Sequence, residues 1–261
     1  MAYTLTRHPF PPAVRRMRLG ARRELATASG GARYVRLRLQ EAHRGELTGL
    51  VAPGGGDHVR VSVGSPDGGE VALDDAGAPL GAARTETVVA HSVEEGWIDL
   101  DVLVHGEPGS EPGVIGAWAA QAPLGSPAVM MGPKGSVVMT GAPGEVVLAG
   151  DDSALPAVRR YLGMLGSGIT GELLLETRFD LAQLDIVPPA GLRVSILAPD
   201  DAAPSAALIA ALRALPAPQD PLTRFVFACG EQSLVAPARA LLAGWGIDVE
   251  RAVVKGYWRR R

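Results

Sequence analysis

The hydrophobic pattern of this chain changes near residue 143, and this change constrains the fold more than any other feature. Before it, short segments alternate polar and apolar residues, as half-buried strands do, and Gly or Pro turns separate them. After it, continuous apolar runs alternate with helical spacings, which is typical of a parallel sheet covered on both faces. We therefore expect a small antiparallel barrel or sandwich over residues 1–142 and a parallel α/β domain over residues 143–261.

Each half divides into predicted elements. Alternating segments predict strands at 33–39, 58–63, 70–73, 85–90, 98–104 and 128–131. Apolar runs in the second half predict strands at 145–149, 172–176, 193–197, 224–228 and 251–254, with helices at 153–165, 204–215 and 232–243. Asp152 or Ser153 is placed to cap the first of these helices.

Composition narrows the class of function. A net charge of −3 and 5% aromatic residues argue against nucleic-acid binding through a basic surface or through stacked bases. The single cysteine, Cys229, excludes an internal disulfide and a cysteine-rich metal site, and the five scattered histidines predict no metal centre. The start has no apolar leader, and Pro123 and Pro127 interrupt the uncharged stretch 112–133. We expect a cytoplasmic protein without a membrane span.

The first 60 residues are locally basic, with eleven Arg against four acidic residues. Such a segment is a candidate surface for an anionic ligand or for a partner protein. Its candidate docking residues are Arg15, Arg16, Arg22 and Arg23. The alternative is that these arginines are solvated strand edges and loops.

One glycine motif resembles a dinucleotide-binding loop but stands in the wrong context. Residues 166–171 match G-x-G-x-x-G, a pattern that has to follow a strand and open a helix to hold a pyrophosphate. Here it follows a predicted helix and precedes a predicted strand. We interpret it as a helix stop and turn.

Three predicted strands end in small or polar residues. These ends are 150–157 (GDDSALPA), 229–231 (CGE) and 256–260 (GYWRR). Ligands of open α/β sheets bind at the carboxyl ends of strands, where glycine permits close backbone approach and helix starts offer amide donors. The alternative is that each is an ordinary capped strand-to-helix turn.

Together with motifs in the first half, these segments resemble the siderophore-interacting family of flavin reductases, relatives of ferredoxin reductase. The second-half motifs are GDDSALPA at 150–157, Gly230-Glu231 followed by Arg239, and GYWR at 256–259. The first-half motifs are Val104-His105-Gly106, Gly113-x4-Trp118-Ala119, and GPKG at 132–135. The resemblance runs from about residue 33 to the end of the chain.

The resemblance implies a fold and an activity. It implies an N-terminal antiparallel β-barrel that holds FAD and a C-terminal α/β domain that receives NAD(P)H. The implied reaction is reduction of a ferric siderophore, which releases iron because ferrous iron is held far less tightly than ferric iron by hard anionic oxygen ligands. In such enzymes the protein supplies orientation and electrostatics to the flavin.

The resemblance also implies residue roles in the barrel. Arg84-Thr85-Glu86-Thr87 aligns with the flavin motif R-x-Y-[ST], so Arg84 is expected to bind the pyrophosphate and Thr87 to lie near the flavin ring. His105 and Gly106 are expected along the FAD phosphates. Trp118 is expected either near the adenine or ribitol of FAD or in the hydrophobic core.

In the second half, Asp151, Asp152 and Ser153 are the implied residues of the flavin–nicotinamide junction. The implied cofactor-binding group also includes Gly230, Glu231, Tyr257 and Trp258. Tyr257 and Trp258 are expected either to cover a flavin face or to pack on the last strand. Arg259 and Arg260 are expected to attract an anionic siderophore or an NADP phosphate, or to form a solvated basic tail. Cys229 is expected to be either core or a contact of the hydride donor, with core favoured.

The chain departs from the family pattern in the flavin half. Glu86 stands where the family has the tyrosine that stacks on the flavin, and Val89 where it has an arginine. Val114 and Gly116 replace a proline and a serine. These departures leave a second hypothesis: a protein with the same fold that binds a siderophore or another small molecule without redox chemistry.

Overall fold

The computed structural model describes residues 3–105 and 113–260. The contacts between Cα atoms divide the chain into two compact units. Arg7–Val137 forms the first, which we call the barrel unit, and Met1–Thr6 with Val138–Arg261 forms the second, which we call the sheet unit. This division differs from the one predicted at 142/143 by the first six residues and by residues 138–142.

The barrel unit is built from strands and one helix. From Thr4 to Thr140 the elements in chain order are β1 (Thr4–Pro9), β2 (Val14–Thr27), β3 (Arg33–Glu41), β4 (His58–Val63), β5 (Arg84–Ser92), β6 (Trp97–Val104), α1 (Val114–Gln121), β7 (Pro127–Met131) and β8 (Gly135–Thr140). Elements β2 to β7 lie within the barrel unit, whereas β1 and β8 each have residues in both units. A closed barrel forms in the order β2-β3-β6-β5-β4-β7, and β1 pairs with β8 in a separate two-stranded sheet.

Alternation along the barrel strands fills the interior. Leu37 and Leu39 of β3 and Leu100 of β6 are buried in one apolar cluster, while the polar residues between them face outward. Ile115 and Trp118 of α1 join the same cluster. Because α1 contributes these side chains, the helix belongs to the core of the barrel rather than to a surface loop.

The sheet unit alternates strands and helices. Its elements are β9 (Glu145–Asp151), α2 (Leu155–Met164), β10 (Gly171–Glu176), β11 (Leu192–Leu197), α3 (Ala206–Ala214), β12 (Arg224–Glu231), α4 (Val235–Gly244) and β13 (Ala252–Trp258). The parallel sheet has the order β11-β10-β9-β12-β13. The strand order therefore reverses between β9 and β12, and this switch point is where open α/β sheets place ligands at their carboxyl edge.

The predicted succession of a β-barrel and a parallel α/β domain is confirmed, while several details of the first half differ. Residues 70–73 form no strand; Leu73 makes only an isolated bridge with Pro79, beside a turn in which the Asp74 side chain accepts from Ala76 and Ala78. The long strand β2 was not predicted because its many arginines obscure the alternation. Residues 166–170 connect α2 to β10, as predicted for the glycine motif.

Within the described ranges, no helix is long and apolar enough to cross a membrane. The same residues contain no group of three or more His, Cys, Asp or Glu side chains arranged to hold a metal ion.

Candidate functional site

The three predicted strand ends converge at the carboxyl edge of the parallel sheet, around Asp151. They are the ends of β9, β12 and β13, which are neighbours in the sheet. Asp151 Oδ2 accepts from the Glu231 amide and from Trp258 Nε1, both at 2.8 Å. Its Oδ1 accepts from the Ser153 amide at 2.9 Å and the Ser153 hydroxyl at 2.5 Å. One buried carboxylate thus ties three strand ends together, and Asp151, not Asp152 or Ser153, caps the first turn after β9.

The glycines at this edge make room for the protein's own atoms. A Cβ at Gly230 would lie 2.6 Å from Asp151 Oδ2, and a Cβ at Gly150 would lie 2.6 Å from the Ala154 Cβ. Both positions require glycine because the space beside them is filled. The expectation that these glycines admit a ligand to the backbone is therefore replaced by a role in close packing.

Burial raises the proton affinity of both Asp151 and Asp152. Burial raises the pKa of Asp152 to about 6; a hydrogen bond from Thr177 opposes this shift, and the neighbouring Asp151 carboxylate adds to it. Burial also raises the pKa of Asp151, against the hydrogen bonds from Ser153 and Trp258. Asp152 is therefore a group that exchanges a proton close to neutral pH.

Cys229 lies in the core of the sheet unit. Its side chain is fully buried, and burial raises the pKa of the thiol to about 12. The half-buried Tyr257 side chain hydrogen-bonds with it, and burial raises the Tyr257 pKa as well. A buried thiol with this pKa is a poor nucleophile, which fits the core alternative for Cys229.

The last residues of the chain are exposed at the same edge. Trp258 retains 42% exposure, and Arg259 and Arg260 are exposed. The Arg260 amide donates to Glu231 Oε1 at 3.1 Å, and its Nη1 donates to the carbonyl of Ala202 at 2.5 Å. The basic tail is therefore held against the sheet at Arg260, and the binding roles of both arginines remain predictions.

In the barrel unit, Arg84 lies beside the start of α1. A Cβ at Gly113, the residue before the helix, would lie 3.7 Å from Nε and Nη2 of Arg84. No side chain of the described residues caps the first amides of α1 at Gly113. An exposed guanidinium beside the first amides of a helix is suited to bind an anion, and we call this pair of groups the anion-binding cradle.

Glu86 lies two residues farther along β5 than Arg84. Successive side chains alternate faces along a strand, so these two share a face. Glu86 is half-buried, and burial raises its pKa to about 8, although the charge of Arg84 opposes the shift. The carboxyl group is consequently mostly uncharged at neutral pH, and it brings little negative charge to a ligand bound along this face.

The other predicted cofactor-binding residues of the barrel differ in how far they are exposed. Thr85 and His105 are exposed, and Thr87 is buried opposite His58 in the pairing of β4 and β5. Trp118 is fully buried in the barrel core, the second of its two expected places, and leaves no surface for a ligand. Gly106 lies outside the described residues.

The basic N-terminal segment is largely committed to internal contacts. Arg36 and Arg38 pair across β3 and β6 with Asp101 and Asp99. Arg15 is buried and donates to the carbonyl of Gly132 at 2.8 Å. A further contact, Arg22 Nη1 to the carbonyl of Ala122 at 3.0 Å, holds the end of α1. The buried Arg15 is thus structural, whereas Arg16, Arg22 and Arg23 are exposed, and a docking surface formed by these three remains a prediction.

Sequence reasoning missed two groups at the carboxyl edge. Glu176 is 4% exposed and accepts from the amides of Ser205 and Leu208 at the start of α3. Arg178, two residues beyond β10, donates from Nη2 to both carboxylate oxygens of Asp201, at 2.6 and 2.7 Å. The available signal was a charged residue at the end of the predicted strand 172–176, Glu176, and another two residues beyond it, Arg178.

Comparison with known proteins assigns both halves of the chain to one family. Residues 12–137 match the siderophore-interacting FAD-binding domain, and residues 143–261 match the siderophore-interacting protein domain. The chain is 30% identical over 178 residues to the ferric vibriobactin reductase ViuB of Vibrio cholerae. This match covers 68% of the chain and 64% of ViuB, so the chain spans less than two thirds of that relative.

Solved structures share the fold. A siderophore utilization protein from T. fusca is 26% identical with a TM-score of 0.78, and the match covers 98% of this chain and 96% of that one. Ferredoxin-NADP+ reductase from Plasmodium falciparum is 11% identical with a TM-score of 0.66 over 94% of this chain and 96% of that one, which shows the fold alone. With both halves matched and the ferredoxin-reductase-like fold in place, the chain belongs to the siderophore-interacting protein family and carries that family's FAD-binding domain.

Proposed function

We propose that this protein is an FAD-dependent reductase that takes electrons from NAD(P)H and releases iron by reducing a ferric siderophore. The observation that carries the proposal is the anion-binding cradle of Arg84 and the start of α1, which lies within the domain matched to FAD binding. The naming of ViuB as a ferric vibriobactin reductase supports the same substrate class.

In the barrel unit, Arg84 and the start of α1 fit the phosphates of FAD, and Glu86 is compatible with the flavin ring. Arg84 and the uncapped amides of α1 would hold the pyrophosphate, since a planar guanidinium matches phosphate oxygens. Glu86, on the same face of β5, supplies a mostly uncharged carboxyl where the resemblance leads us to expect an aromatic ring. Thr85 and His105 are exposed and remain candidate polar contacts of the cofactor.

When bound, FAD would accept a hydride, which carries two electrons, and would pass these electrons to iron one at a time. One hydride therefore suffices to reduce two ferric ions, with NAD(P)+ as the oxidised product. The exposed Arg259 and Arg260 would attract the anionic ferric chelate. Asp152, with a pKa of about 6, would exchange protons with solvent near the nicotinamide.

The proposal is tested with the purified full-length protein. We expect the protein to absorb near the flavin maximum after incubation with FAD. NADH or NADPH should bleach this absorption in the absence of oxygen, and addition of a ferric siderophore should then produce ferrous iron.

Arg84→Gln is expected to raise the FAD dissociation constant about tenfold or more, because a charged contact to phosphate is lost. Arg44→Gln, which changes an exposed arginine in the turn after β3 of the same barrel, serves as the matched control. Protein that takes up no FAD, or an Arg84→Gln variant that binds it like the control, contradicts the proposal.

A second candidate function is binding of a siderophore without redox chemistry, and Glu86 favours it because no aromatic ring is offered for stacking at that position. Calorimetry of flavin-free protein with ferric and iron-free siderophore separates the two functions. Tight binding of the ferric form by a protein that never takes up FAD would support the second candidate, and no binding of either form would reject it.

A further inference from the structure

The strand at one edge of the parallel sheet has an open outer side. Among the described residues, β11 pairs with β10, and no strand pairs with its other side. Peptide groups alternate in direction along a strand, and the Leu197 carbonyl accepts from the Thr177 amide, which follows β10. The amides and carbonyls of Val194 and Ile196 therefore point away from the sheet, where they are open to another strand.

The apolar layer of the sheet reaches this edge without a cover. Val194 and Ile196 are in register with Leu173 and Leu175, which are fully buried on the same face. Val194 is nevertheless 43% exposed, and Ile196 is 52% exposed. The edge thus combines aliphatic side chains with open backbone groups, which makes it prone to pair with another chain.

The opposite edge of the sheet is protected in a way that β11 is not. Near its centre β13 carries the exposed Lys255, and a charged residue in an edge strand discourages pairing. The only charged residue of β11 is Arg193, which is paired with Glu172 of β10. Pro189 and Pro199 lie just outside β11 and have no amide to donate, so pairing is confined to the strand itself.

We propose that β11 pairs with the β11 of a second copy of this chain, antiparallel and centred on Ser195, so that two sheet units form one continuous sheet. Val194 of one copy then lies opposite Ile196 of the other, and the two-fold symmetry repeats this pair. Each pair exchanges two backbone hydrogen bonds, which gives about four across the interface. The aliphatic side chains of each pair meet on one face of the sheet.

Charge favours a second copy over an unrelated strand. Arg193 lies at the amino end of β11, and the exposed Asp200 lies beyond its carboxyl end. In an antiparallel pair these ends approach each other, so the cationic end of one copy approaches the anionic end of the other. The strand is thus complementary to itself in backbone groups, apolar side chains and charge. One pair of short strands buries less than the about 1,200–2,000 Å² of a stable interface, so we expect dimers only at high protein concentration.

Sedimentation velocity of the full-length protein at increasing concentration tests the proposal. We expect the wild type to shift from monomer to dimer. Ile196→Lys should raise the dimer dissociation constant about tenfold or more, because a charge enters each aliphatic pair. Val249→Lys is the matched control: this valine is 42% exposed and lies just before β13, at the opposite edge of the sheet, so the variant should dimerise like the wild type.

Cysteine variants test the register of the pair. Ser195 lies opposite itself in the proposed dimer, with the two Cα atoms about 4.5 Å apart, which is within reach of a disulfide. Ser195→Cys should therefore form a linked dimer under mild oxidation. Ala198→Cys, an exposed position about 20 Å from its own copy, should not. The native Cys229 is buried and does not compete.

A wild type that stays monomeric at every concentration overturns the proposal and leaves the edge to an extended peptide of another protein. A dimer that Ile196→Lys does not weaken overturns it too, as does linkage of Ala198→Cys as readily as Ser195→Cys. If circular dichroism shows Ile196→Lys to be unfolded, the wild-type sedimentation and the cysteine variants decide.

Discussion

At the scale of single residues, the carboxyl group of Glu86 has the most unusual chemistry in the barrel unit. Burial raises its pKa from an ordinary value of 4.5 to about 8. The folded protein therefore keeps this proton up to about pH 8, whereas the unfolded chain releases it near pH 4.5. Because the folded state binds the proton more tightly, the stabilising contribution is complete below pH 4.5 and is lost as the pH rises towards 8.

Glu86→Gln should remove this pH dependence. We expect the free energy of unfolding of the wild type to fall relative to that of Glu86→Gln by about 2–4 kcal/mol between pH 5 and 8.5, after allowance for solvent screening of a half-buried group. Urea unfolding followed by far-ultraviolet circular dichroism at several pH values measures the difference. Parallel pH curves for the two proteins would show that Glu86 titrates normally.

At the scale of elements, Asp151 joins β9, β12 and β13 through side-chain hydrogen bonds. It receives four donors, from the amides of Ser153 and Glu231, the Ser153 hydroxyl and the Trp258 indole. A side-chain amide in its place would point its NH2 group at two of these donors. The arrangement thus depends on a carboxylate and not merely on a polar residue of the same size.

Asp151→Asn is expected to lower the free energy of unfolding by about 2–4 kcal/mol, because buried donors lose their acceptor. Trp258→Phe removes a single donor at an exposed ring and should cost about 1 kcal/mol. Urea unfolding followed by circular dichroism compares the two variants with the wild type. Equal stability of Asp151→Asn and Trp258→Phe would mean that the carboxylate does not hold the three strand ends together.

At the scale of the whole molecule, the beginning of the chain belongs to the sheet unit although the barrel lies between them in sequence. Tyr3 is fully buried, and its hydroxyl lies 2.9 Å from the Arg224 carbonyl and 2.6 Å from that of Arg251. Burial raises the pKa of Tyr3 to about 12, so the hydroxyl remains a donor. The Arg251 guanidinium lies 4.7 Å from the centre of the Tyr3 ring. The N-terminal residues therefore stabilise the C-terminal domain.

Tyr3→Phe should weaken the sheet unit and leave the barrel unit unchanged. Loss of the hydroxyl is expected to cost about 1–2 kcal/mol, since the carbonyls of Arg224 and Arg251 lose the one proton that they share. Hydrogen exchange monitored by mass spectrometry should show faster exchange in β12 and β13, with the peptides of β3 and β6 as the internal control. Faster exchange in the barrel peptides alone would contradict this assignment.

The sequence by itself determined the architecture and the family. The alternation in β3, β4 and β6 and the continuous apolar runs in β9, β10 and β12 follow from local periodicity, which survives without knowledge of distant partners. The strand-end motifs around Asp151 and the basic Arg84 were recognisable because each lies in one short segment. Four described elements of the first half were not predicted: the short strands β1 and β8, the strand β2, in which arginines mask the alternation, and α1, which lies within a charge-free stretch.

Tertiary structure alone decided what those residues contact. The space beside Gly150 and Gly230 is filled by the chain itself, Arg15 and Arg22 are held by distant carbonyls, and Glu176 is bound to a helix 29 residues away. Burial of Glu86 and Asp152 likewise depends on atoms from other elements. Side-chain partners, burial and pKa arise from contacts between residues far apart in sequence, which periodicity and composition do not encode.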